Sequence, residues 1–153
     1  GRIRFRKRRT PNALTQCKIG NIKYAPPKFY WIIRLFFPEY RFDKVMAFAF
    51  GDIIYTKLNP LPQDVFEHEK VHLRQMRYSK LYAIFHFLRY LLSKKFRYES
   101  EIEAFSVQYQ YGVKLVGREV IRKDTERMAR HLAEKDVYGH YATYEQALFD
   151  ITT

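Results

Sequence analysis

The residues of this chain best suited to chemistry lie in Phe66-Glu67-His68-Glu69-Lys70-Val71-His72-Leu73-Arg74-Gln75, which contains a His-Glu-x-x-His pattern. On an α-helix, His68 and His72 stand four residues apart, so both imidazoles project from one face and can grip a single cation. Glu69 sits beside that face. Its carboxylate there reaches a cation-bound water rather than the cation, which is where a base must stand to take a proton from that water. Chance alone produces the pattern in on the order of 1% of chains of this composition. It therefore gains weight only if its neighbours supply a helix start before it, a third inward-facing ligand after it and a strand to hold a substrate.

The flanking sequence supplies candidates for all three. Asn59-Pro60-Leu61-Pro62 interrupts the preceding pattern, with Pro62 placed to open a helix and Asp64 in the first turn, where the helix dipole favours an acid. The helix is expected to run to about Tyr78, with Val65, His68, His72 and Met76 on its stripe. Val45–Phe50 and Ile53–Thr56 are short β-favouring runs joined by Gly51-Asp52, which predicts a hairpin. Leu81–Leu92 is apolar nearly all round and predicts a helix buried on several sides, with His86 as a core or edge histidine. After Ser93-Lys94-Lys95, further helices are expected over about Tyr98–Val113, Ile121–Asp136 and Tyr144–Ile151, punctuated by Gly117 and a turn at Tyr138-Gly139. The fold class is α+β: a mostly helical domain with a small hairpin or sheet packed near the metal-binding helix.

The helix from about Tyr98 offers Glu99, Glu101 and Glu103 as a third ligand. Glu101 lies three residues after Tyr98 and four before Phe105, so it borders the apolar stripe Tyr98, Ile102, Phe105, Tyr109 and Val113. Glu99 and Glu103 form their own pair away from that stripe. An acid beside a buried stripe needs a partner, and zinc would supply one, so Glu101 is preferred over Glu103, Glu99 or a histidine.

His68-Glu69-Lys70-Val71-His72 followed by Glu101-Ile102-Glu103-Ala104 resembles the gluzincin pattern, in which a second helix supplies a Glu ligand through Glu-x-x-Ala or a similar motif. The strand before the motif, its proline-containing approach and Gln75 after it also resemble the small, minimal members of that clan, some bacterial and some phage-encoded. The resemblance covers about Val45 to Gln110. It implies a zincin-like domain with Zn(2+) held by His68, His72 and Glu101, Glu69 as the base, and hydrolysis of peptide bonds in a peptide or protein substrate. Phe105 departs from the pattern, standing where many relatives carry an acid that supports a histidine ligand. The metzincin pattern fails because Gln75 and Tyr78 replace its Gly and third His, and a His-only site using His86 is disfavoured by the apolar surroundings of that residue. Tyr98, His131, His140 and Tyr141 are candidate oxyanion donors, and a substrate is expected to lie extended along Val45–Phe50 or Ile53–Thr56.

The 153 residues, 47% of them hydrophobic, suffice for one core and exclude disorder throughout. The formal charge of +12 is unevenly spread, since the first 38 residues hold ten Lys or Arg and no acid. Residues 1–38 are therefore read as a basic, aromatic-ended arm and residues 39–153 as the zincin-like domain. Arg2, Arg4, Arg6, Lys7, Arg8 and Arg9 can meet nucleic acid, an acidic protein surface or anionic lipid. The arm motivates an alternative function: an inactive or rarely active structural protein docked in a large assembly such as a virion or ribonucleoprotein. A nucleic-acid-binding domain ranks lowest, because the body beyond the arm is nearly neutral. The aromatic run Phe29–Phe37 is expected in the core. The lone Cys17 cannot form an internal disulfide, no stretch reaches the roughly 18 apolar residues of a membrane span, and Gly1–Arg9 has no apolar region behind it to act as a secretory signal. A cytoplasmic place, or one within a viral or other large assembly, is the corresponding expectation.

Overall fold

The computed structural model describes residues 21–36, 38, 46–134 and 140–153. The arginine-rich residues Arg2 to Arg9, Phe37, Val45, Asp136 and the Tyr138-Gly139 turn lie outside them. The described fold is α+β and mostly helical.

The hairpin forms where the β-favouring runs are interrupted by glycine. Strands β2 (Ala47–Phe50) and β3 (Ile53–Thr56) pair antiparallel with Ala49 opposite Ile54. Gly51 adopts φ +66°, a left-handed conformation that side chains resist, and a Cβ there would meet the Lys80 backbone at 3.3 Å. Glycine thus turns the chain and lets the next layer approach. Strand β1 (Asn21–Lys23), inside the segment read as an arm, adds parallel to the other side of β3, giving the order β1-β3-β2. Helix α1 (Tyr30–Phe36) follows. Of the aromatic run expected in the core, Phe29 packs on Phe50 with ring centroids 4.4 Å apart and Ile33 is buried, but Trp31, Leu35 and Phe36 are exposed.

Helix α2 (Gln63–Gln75) begins directly after Pro62. Its Asp64 accepts a 2.8 Å hydrogen bond from Gln108, which ties the start of α2 to helix α4 (Lys94–Val116). The helix ends three residues before Tyr78, since Arg77 and Tyr78 take left-handed φ values of 52° and 51°. Helix α3 (Lys80–Leu92) corrects the sequence reading: only Ala83 is buried, and Leu81, Ile84, Phe85, Leu88 and Leu92 face solvent. Overall apolarity could not reveal that just one narrow side of α3 meets the rest of the molecule. Helix α4 starts four residues earlier than expected because Ser93 Oγ accepts the Phe96 amide at 3.2 Å. Gly117, at φ +86°, joins it to α5 (Arg118–Ala133), and α6 (Tyr144–Thr152) is capped by Thr143.

Two apolar clusters hold these elements. One joins the hairpin, α2 and α3 through Ala49, Ile54, Leu73, Met76 and Ala83; the other joins α4, α5 and α6 through Tyr98, Ala129, Leu132, Ala147 and Ile151. The α2–α4 contact lies between them. Among the described residues, no helix is long and apolar enough to cross a membrane.

Candidate metal centre

One side of α4 reads Arg97, Glu101, Ala104 and Gln108, at intervals of four, three and four residues, and all four are buried. Three of them are polar. Ala104 is the exception, and its small side chain, wholly buried three residues after Glu101, lets the two helices come close enough for Glu101 to reach α2. Glu101 Oε2 lies 3.6 Å from both His68 Nε2 and His72 Nε2, which are 3.2 Å from each other. His68, His72 and Glu101 form a group that could hold a metal ion.

Hydrogen bonds orient two of the three donors. Gln75 Oε1 accepts from His72 Nδ1 at 3.0 Å and from the Ser100 hydroxyl at 2.7 Å, so Nδ1 carries a proton and Nε2 points into the group. Gln75 Nε2 donates in turn to the Ser100 carbonyl and to Glu103 Oε2. The Tyr90 hydroxyl donates to Glu101 Oε1 at 2.8 Å, which leaves Oε2 for the histidines. Arg97 holds Tyr90 in place by donating to its carbonyl at 2.8 Å and to that of Leu91 at 3.2 Å. His68 differs: its buried Nδ1 has no hydrogen-bond partner among the described residues, and the Phe105 ring packs against the imidazole with centroids 4.5 Å apart.

Two imidazole nitrogens and a carboxylate oxygen that meet in so enclosed a space need a proton or a metal ion between them. Without a metal it is a proton. Burial opposes charging His72, yet the Glu101 carboxylate, helped by Glu69 and Gln75, raises it to about 9. Burial likewise opposes ionising Glu101, but the two imidazoles hold its carboxyl well below the usual range. Glu69 is buried beside the group, and desolvation pushes its carboxyl up against the lowering effect of both histidines and a hydrogen bond from the Ala49 amide of β2.

The alternatives to Glu101 are engaged elsewhere. Glu103 accepts from Arg74 at 2.8 Å and from Gln75, while Glu99 is exposed and 3.7 Å from Lys95. His86 stays outside the three-residue group, 3.5 Å from Ser100 Oγ. The four candidate oxyanion donors have other contacts: Tyr98 donates to Asp150 at 2.7 Å, Tyr141 packs at a tilt against Tyr98, His131 lies 3.5 Å from Glu134, and His140 Nδ1 lies 3.1 Å from the Ala133 carbonyl. The sequence reading missed Tyr90, Arg97 and Ser100. Only Tyr90 left a signal, a hydroxyl one turn after His86 in an otherwise apolar helix. Comparison with protein-family models, with curated proteins and with solved structures returns no match.

Proposed function

We propose that the chain is a zinc-dependent metallopeptidase. The observation that carries this reading is the triangle of donor atoms. Tetrahedral zinc with ligands at its usual bond lengths separates neighbouring donors by about 3.4 Å, and the three separations here are 3.2, 3.6 and 3.6 Å. Two imidazoles and one carboxylate also match zinc's preference for nitrogen and oxygen donors in catalytic sites. When bound in such a site, zinc keeps one position open, acidifies water and polarises a substrate carbonyl.

The chain's own residues would do the rest. Glu69, its proton affinity raised by burial, takes a proton from the attacking water and passes it to the leaving amine. Tyr90 and Gln75 fix the orientations of Glu101 and His72. Strand β3 is paired on both sides, which leaves β2, whose Ala49 amide reaches Glu69, as the hairpin strand able to align an extended peptide. Cleavage of a peptide library by wild type, compared with Glu69→Gln, tests the reading. The variant should retain zinc and lose about 100-fold or more in rate.

One observation favours a second reading. With His68 Nδ1 unpartnered among the described residues and Phe105 beside it, one proposed ligand lacks the support that tunes catalytic zinc. The alternative is a structural or assembly protein, anchored by its basic arm in a virion, a ribonucleoprotein or another large complex. Zinc binding by wild type with no cleavage of any library peptide would select it.

A further inference from the structure

We propose that the outer face of α3 is a seat for an anionic lipid bilayer surface, on which the protein docks as a peripheral protein. Leu81, Ile84, Phe85, Leu88 and Leu92 recur at three- and four-residue intervals and so form one stripe along the helix; they are 48 to 86% exposed. A contiguous stripe of five large aliphatic and aromatic side chains in water marks a surface that another phase covers. Helical geometry places Lys80 along one border of the stripe and Arg89 along the other, with Arg77 before the helix and Lys94 and Lys95 just beyond it. Between Glu69 and Glu99 the sequence contains no acid.

Apolar centre and cationic borders are the arrangement of a helix lying in the headgroup region, with its leucines among the acyl chains and its lysines and arginines at the phosphates. The charge pattern opposes a second copy of this chain, which would bring Lys80 and Arg89 against like charges. The opposite face of α3 carries Ala83, His86 and Tyr90 toward α2 and α4. The stripe is thus held rigidly outward by the same helix that positions Glu101. This surface is independent of the chemistry proposed for the metal centre.

Co-sedimentation of the full chain with vesicles tests the proposal, using phosphatidylcholine vesicles with and without about one third phosphatidylserine. Wild type should bind the anionic vesicles, and Leu81→Gln/Phe85→Gln/Leu88→Gln should weaken that binding by about ten-fold or more while leaving the circular dichroism spectrum unchanged. Because the basic arm can itself adhere to anionic vesicles, Leu88→Trp in a Trp31→Phe background, which removes the native indole, gives a second readout. Emission from its introduced indole should shift to the blue and be quenched by brominated acyl chains. Equal binding by the triple variant would assign adhesion to the arm and overturn the proposal. So would an unquenched indole in vesicle-bound Leu88→Trp protein, no vesicle binding by wild type, or a dimer in solution that the triple variant dissociates.

Discussion

The α2–α4 interface and the outer face of α3 invert the usual distribution of polarity in opposite directions. The interface buries His68, Glu69, Ser100, Glu101 and Gln108 beside a partly buried His72, whereas the outer face of α3 leaves Leu81, Phe85 and Leu92 in solvent. A folded chain tolerates a buried polar cluster when each charge finds a partner, and an exposed apolar stripe when something covers it. Both departures sit where we propose a partner: a metal ion at the interface and a lipid surface on the stripe. The two regions share α3, whose Tyr90 serves one side and Leu88 the other.

Four perturbations separate the two regions. The largest stability loss is expected from Ala104→Leu, because Ala104 is fully buried where α4 approaches α2. Overpacking there should cost about 1–3 kcal/mol in thermal or denaturant unfolding, and should weaken zinc binding by moving Glu101 away from the histidines. An unchanged melting temperature would show that the helices are not in close contact at this point. Gln75→Ala should next lower zinc affinity by about 10–100-fold in a competitive chelator titration, since Gln75 holds His72 through its Nδ1.

A smaller effect concerns pH. Burial, with the neighbouring charges of His72 and Arg89, lowers His86 from its ordinary 6.5 to about 4, against the opposing effect of Glu101. The unfolded chain therefore binds a proton at His86 between those two values that the metal-free folded chain does not. The resulting stability is present above pH 6.5 and is lost as the pH falls toward 4. Replacing His86 by Phe should flatten urea-unfolding stability across that window, and an unaltered slope would place His86 in water. Leu88→Gln should do least, shifting stability by no more than about 0.5 kcal/mol, because the side chain is half exposed. A larger loss would mean that the outer face is part of the core.

How far the sequence discloses each region follows from the same contrast. Helix α2 and its two histidines were legible because His68, His72 and Pro62 act through local spacing, and Glu101 because its helical phase set it apart from Glu99 and Glu103. The hairpin was legible from Gly51-Asp52 between two β-favouring runs. The face of α4 that meets α2 was not, since its polar residues hide the periodicity that a hydrophobic pattern would show. The exposure of α3 was equally hidden, because apolar character identifies a surface that avoids water without saying whether protein or something else covers it. Strand β1 escaped notice because Asn21-Ile22-Lys23 has too few residues to show alternation, and its pairing with β3 is long-range.

Whether His68, His72 and Glu101 together hold one zinc ion is tested most directly by stoichiometric metal analysis. Metal-stripped wild type and Glu101→Ala, each checked for folding by circular dichroism, would be equilibrated with the same buffered free zinc and assayed for bound metal. Wild type should take up one zinc per chain, and the variant essentially none at a concentration that saturates wild type. Equal zinc content in the two proteins, or none in wild type, would contradict the account.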